Sequence, residues 1–184
     1  MNERILVNPV TKVQVRLLTS AAETNGAYSM NEGVMLPDGA NGLHYHRMLT
    51  QTFTALERPL HLYLEGKKII SLKEGESYTV TPGVVHGVFN PTKYTVRYRV
   101  ITAPGKEGFE NMLRILYGLA EENKLNTNGL PTDYATTAML MEMGDTYFMN
   151  THSFLTLWLK WKARQARNRG VAKELLTKYC SSWA

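Results

Sequence analysis

The sequence has almost no cysteine and no long apolar run. Its one thiol, Cys180, has no partner for an internal disulfide, which fits a reducing compartment. No apolar stretch reaches the roughly 18 residues that span a bilayer. The opening Met1-Asn2-Glu3-Arg4-Ile5 lacks the apolar core of a signal peptide. The expectation is a cytoplasmic protein. Internal repeats and low-complexity segments are also missing. Basic residues are concentrated: the net charge of +5 is carried by Lys160, Lys162, Arg164, Arg167, Arg169, Lys173 and Lys178, and without that tail the chain is close to neutral. The basic balance therefore belongs to one helical segment and does not make the chain a nucleic-acid binder.

What is present is an ordinary globular composition, 43% hydrophobic and 20% charged over 184 residues, enough for one domain with a real core. Val13, Val15 and Leu17 alternate with Lys12, Gln14 and Arg16 in a strand over 10–18. Further strand-like runs cover 27–36, 50–56, 60–64, 68–72, 77–81, 86–89 and 94–102, separated by turn residues such as Pro37-Asp38-Gly39 and Pro82-Gly83. Short strands at roughly 8–12 residue spacing argue for a β-sandwich or small barrel. After Pro104-Gly105 the periodicity changes. Phe109, Met112, Leu113, Leu116 and Leu119 mark an amphipathic helix over 107–123. A second helix is expected from a Thr132 or Asp133 cap to Met143, a third over 154–168 and a fourth over 171–179. The expectation is a mainly β (α+β) chain: a barrel over 1–104, then a helical extension over 105–184 of the same domain, packed on the barrel or on a partner subunit.

His44 and His46 are two apart, so on a strand they face the same side. His86 follows a Pro-Gly turn. Three imidazoles can supply lone pairs to one transition metal. His61 and His152 have no spaced partner and read as ordinary residues. Arg97 and Arg99 alternate with Val96, Tyr98 and Val100, and the reading is that the apolar set faces the core while the arginines face water. Phe53, Ala55, Val88 and Met48 have the phase or place to line an apolar pocket, although core packing accounts for them equally. In the tail, Phe154, Leu155, Trp158, Leu159 and Trp161 precede the basic residues. The expectation is that the tryptophans bury against the barrel with the lysines solvated; the other reading is a membrane-surface or partner-binding helix.

The spacing resembles the two motifs of the cupin superfamily over residues 33–103. Gly39 and Gly42 precede His44-Tyr45-His46, and after the four residues Arg47-Met48-Leu49-Thr50, Gln51 stands where the family has Glu. Arg58, beside Pro59, stands where the motif closes on Gly. Gly75, Pro82, Gly83, His86 and Asn90 follow the second motif, with Thr81 at its usual Pro position. The resemblance implies a double-stranded β-helix, or jelly-roll, barrel whose lumen holds a divalent transition metal (Fe, Mn, Ni or Zn) on His44, His46 and His86, with Gln51 as a fourth ligand or holding a metal-bound water. It further implies action on a small organic molecule, as a dioxygenase-type or other metal-assisted enzyme. The alternative is a non-catalytic, small-ligand-binding or sensing cupin, possible also without metal. An amide in place of the carboxylate leaves the full +2 on the metal, which favours an anionic substrate or bound hydroxide. Neither Tyr45 nor Tyr78 is placed as a general base, so no catalytic residue is assigned. The family also suggests a homodimer through barrel edges. The stretch from Pro104 to Ala120 is similar to the C-terminal extension of a group of uncharacterised bacterial cupin-domain proteins.

Overall fold

A computed structural model describes residues 5–148 and 153–181; the side chains of Lys67 and of residues 153–160 are outside that description. The expectations for Met1–Arg4, His152 and the side chains of Phe154, Leu155, Trp158, Leu159 and Lys160 therefore lie outside the described residues. Among the described residues the strands are, in order, β1 Ile5–Asn8, β2 Val13–Thr19, β3 Ser29–Met35, β4 His44–Tyr45, β5 Thr50–Ala55, β6 Leu60–Leu64, β7 Lys68–Leu72, β8 Ser77–Val80, β9 His86–Phe89, β10 Val96–Ala103 and β11 Tyr147–Phe148. The helices are α1 Glu107–Glu121, α2 Tyr134–Met143, α3 Ser153–Asn168 and α4 Val171–Cys180.

The strands form two antiparallel sheets. One has the order β1-β2-β3-β10-β5-β8 and the other β11-β4-β9-β6-β7. Alternation decides which face closes the core. On β10, Val96, Tyr98 and Val100 are buried, while Arg97 and Arg99 point outward and pair with Glu57 and Glu32. Neither arginine can anchor a ligand in the lumen. Met35, Ala55, Leu60 and Leu62 are fully buried between the sheets, where each large side chain contributes roughly 1.5–3 kcal/mol on leaving water. Val88 and Phe53 join this core. Met48 does not: it is exposed.

Two elements of the second motif fix the turns around the site. Pro82-Gly83 bends the chain with Gly83 at φ +85°, a conformation that costs glycine little and other residues more. Asn90 is buried and serves as a staple. Its amide nitrogen donates to the carbonyls of Met35, Leu36 and Tyr94, and its oxygen accepts from the Thr92 amide and hydroxyl.

The helices are joined to the barrel by apolar contact. Tyr117 of α1 is part of the barrel core, with Leu113 and Leu116 packed against it. The opposite side of α1, including Met112, Ile115 and Leu119, meets Met139 and Leu140 of α2 and Leu175 and Leu176 of α4. Asp133 caps α2 by accepting from the Thr136 amide. In α3, Ala163 and Ala166 are the buried positions and Trp161 is 53% exposed. Burial of this tryptophan against the barrel is thus corrected. With alanines three apart turned inward, a residue two before Ala163 lies on the far side of a 3.6-residue helix. No described helix is long and apolar enough to cross a membrane.

Candidate functional site

The sheet register brings the three histidines together. His44 on β4 lies directly opposite His86 on β9, and His46 follows two residues later on the same side. Their rings are close, with centroids 4.5 Å apart for His44–His86, 5.1 Å for His44–His46 and 5.4 Å for His46–His86. All three side chains are buried. Each offers a ring nitrogen, and the three nitrogens lie within 4.8 Å of one another. Gln51 arrives from the facing sheet, its Oε1 3.0 Å from His86 Nε2 and its Nε2 donating to Thr102 Oγ1 at 3.3 Å.

Main-chain carbonyls hold every ring. His44 Nδ1 is 2.7 Å from Gly42 O, His86 Nδ1 is 3.0 Å from Val84 O, and His46 Nδ1 is 2.8 Å from Asp145 O. A carbonyl only accepts, so each Nδ1 carries the proton and each Nε2 keeps its lone pair. Burial reinforces this by disfavouring the imidazolium. It holds His44 well below the usual histidine range, helped by its two histidine neighbours, lowers His46, and takes His86 down to about 4.

Two contacts are incomplete without a further group. His46 Nε2 is buried with no hydrogen-bond partner. With its proton on Nδ1, His86 presents a lone pair from Nε2 to the carbonyl oxygen of Gln51, so two acceptors face each other. Either a cation or a turned Gln51 amide relieves that contact. The donor set fits a borderline divalent metal: three neutral imidazoles, oriented by carbonyls behind them. In a tetrahedral set, metal–nitrogen bonds of about 2.1 Å place their nitrogens about 3.4 Å apart, so the three rings would have to draw together to hold one ion.

Residues 32–102 match the family model described as a cupin domain. The chain contains a cupin domain. Solved cupin-fold structures are similar to it. They include the polyketide cyclase RemF from Streptomyces resistomycificus, 19% identical over 55% of this chain and 73% of that one, with a TM-score of 0.49. An RmlC-like cupin from Shewanella frigidimarina is 20% identical over 59% and 89%, with a TM-score of 0.49. A sugar phosphate isomerase of the cupin superfamily from Silicibacter pomeroyi is 15% identical over 55% and 71%, with a TM-score of 0.47. No curated protein matches the chain.

The cupin residues His44, His46, Gln51 and His86 thus sit in one buried cluster. His61 is apart, on the outer side of its sheet against Phe89 and Ser71. Tyr45 also lies outside the cluster, stacked on Tyr147. Sequence reasoning missed Asp145, which comes from the helical extension. Its carbonyl orients His46, and its carboxylate accepts from the Met48 amide at 2.7 Å. It occupies φ +49°, a region that Asp and Asn tolerate better than other side chains. The adjacent β11 pairs with β4, setting Phe148 opposite His44. A functional carbonyl has no side-chain signature in the sequence.

Two outcomes follow. Asp145→Ala is expected to weaken zinc binding about tenfold, while Asp145→Asn, which keeps an acceptor and tolerates the backbone angle, stays near wild type; competition with a chromophoric chelator measures both. Acid is expected to destabilise the metal-free fold. The folded histidine pKa values lie below the unfolded value of 6.5, so the unfolded chain takes up protons first. This contribution to stability is complete above pH 6.5 and declines as pH falls toward 4. His86 alone accounts for on the order of 3 kcal/mol by pH 4. Urea midpoints of chelator-treated protein at pH 7.5, 6 and 5 check this, with a steady fall expected.

Proposed function

We propose that this cupin binds one divalent transition metal through Nε2 of His44, His46 and His86, with Gln51 beside it, and acts there on a small organic molecule. The observation that carries the reading is the set of three buried imidazoles, each with Nδ1 bonded to a main-chain carbonyl and Nε2 left to the lumen. When bound, such a metal supplies a Lewis acid or a site for dioxygen, which is the basis for proposing dioxygenase-type chemistry. The chain's own residues position and desolvate. Phe53 and Phe109 stand edge-on to His86 and His46, keeping water from the imidazoles. The Gln51 amide, tethered to Thr102, faces the same space. Asp145 is the nearby acid, and its carboxylate is committed to the Met48 amide.

No charged side chain lines the adjoining cavity among the described residues. That favours metal-centred chemistry over side-chain acid–base catalysis, and it equally suits a second reading as a non-catalytic small-ligand-binding cupin. Exposed Ile69 on the edge strand β7, with Tyr63 beside it on β6, supports a homodimer through that edge. A cytoplasmic location rests on the single cysteine. Elemental analysis of protein purified without added metal tests the central reading. About one transition-metal ion per chain supports it, and metal-free protein that also fails to take up Zn, Fe, Mn or Ni rejects it.

A further inference from the structure

The lumen beside His44 and Gln51 holds a cavity of about 140 Å³. Its walls come from both halves of the chain. The barrel supplies Asn31, Phe53 and Tyr98, and α1 supplies Leu113, Leu116 and Tyr117. Three features limit what can fill it. The first is size: an engineered apolar cavity of about 150 Å³ takes one benzene, so this space admits about one ring. The second is charge. Among the described residues no Asp, Glu, Lys or Arg lines the cavity, and burial raises the ionisation of the Tyr98 and Tyr117 phenols far above their ordinary value, so both stay neutral. A carboxylate or phosphate would lose its hydration there without a compensating side-chain cation, so the anionic substrate expected from Gln51 in place of a carboxylate is set aside for this cavity.

The third feature is an unused acceptor. Asn31 is 94% buried, being 6% exposed, and its Oδ1 has no hydrogen-bond partner. Thr11 Oγ1, on the same wall, is likewise buried without a partner. A buried amide oxygen left unpaired forfeits its hydration without return, so a ligand that donates to it is favoured over one that does not. Two residues further along β3, Gly33 leaves room for the Tyr98 ring, since a Cβ there would fall 2.2 Å from Tyr98 Cζ. That ring forms the flat side of the space.

We propose that the ligand of this cavity is an uncharged molecule of about one aromatic ring bearing a hydroxyl group, seated between α1 and the barrel with its hydroxyl donating to Asn31 Oδ1. This rests on the reading of the lumen as a small-molecule site, and it names the class of molecule. The helical extension is then the wall that sets ligand size, through Leu113, Leu116 and Tyr117.

The test is calorimetric titration of the full-length protein with phenol, benzene and benzoate, before and after chelation, with metal content measured on the same samples. Phenol is expected to bind at one per chain in both states, with benzoate at least about tenfold weaker in the chelated protein. Asn31→Ala is expected to weaken phenol about five- to tenfold and leave benzene unchanged. Leu116→Trp, which fills the space, is expected to abolish phenol binding with metal content unaltered. Absence of phenol binding overturns the proposal. So does benzoate binding as tightly as phenol to the chelated protein, or an equal effect of Asn31→Ala on phenol and benzene. Phenol binding by protein that never takes up metal rejects the metal site and leaves the ligand assignment standing, so the two failures are distinguishable.

Discussion

Asn90→Ala is expected to lower stability by about 3 kcal/mol, equivalent to a fall in Tm of roughly 6–12 °C for a chain of this size. The side chain is fully enclosed and has five hydrogen-bonding contacts: its two amide hydrogens are shared among three carbonyls, and its oxygen accepts twice from Thr92. Alanine removes all five at once. The Met35 carbonyl lies in the dry interior, where an unsatisfied group bears its full desolvation cost. The substitution also frees the turn after β9, the strand that carries His86. Asn90→Asp is expected to be destabilising as well: it keeps the acceptor for Thr92 but aims a carboxylate at three carbonyl oxygens. Urea denaturation followed by tryptophan fluorescence measures both. A change below 1 kcal/mol in Asn90→Ala would mean that water replaces the amide and that the staple is unimportant.

His44→Ala and His86→Ala are each expected to lower zinc affinity by at least about 100-fold, beyond the 10- to 100-fold typical of groups that only orient a ligand. Two imidazoles and an amide make a poor site, because amide oxygen is a weak donor for such a metal. His61→Ala is the matched control. It removes the same side chain from the outside of the same sheet, where the ring meets Phe89, and zinc affinity should not move. Competition titration at pH 7.5 keeps protonation out of the comparison, since burial depresses all three site histidines. Equal effects from all three variants would place the metal elsewhere.

The parts of this molecule legible in its sequence are those set by side-chain pattern. Turn residues bounded Leu60–Leu64, Lys68–Leu72 and His86–Phe89 at their observed limits, and in the first of these Leu60, Leu62 and Leu64 alternate as a strand with one buried face must. The i and i+2 placement of His44 and His46 was sufficient to put both on one side. The Asp133 cap was legible because it acts through its side chain. What escaped depends on distant partners or on the main chain. Tyr147–Phe148 is a two-residue strand that exists because β4 offers an open edge, and no pattern can announce so short a segment. The Ile5–Asn8 strand was missed for a related reason: four residues ending in Asn carry little periodicity. The role of Asp145 passes mainly through a carbonyl that every residue possesses. The closing of the lumen by Leu113, Leu116 and Tyr117 was hidden because an apolar helix face reads the same whether it meets solid core or lines a cavity.

The proposed metal site requires three neutral imidazoles that hold their protons on Nδ1 and present Nε2 to one ion. Long-range proton–nitrogen NMR of the histidine rings in the metal-free protein at pH 7.5, repeated after one equivalent of zinc, tests that directly. His44, His46 and His86 are all expected as Nδ1-protonated neutral tautomers, with their three Nε2 resonances shifting together on zinc addition while that of His61 stays in place. Nε2-protonated tautomers at these positions, or zinc saturation without a shift in the three rings, would contradict the proposed site.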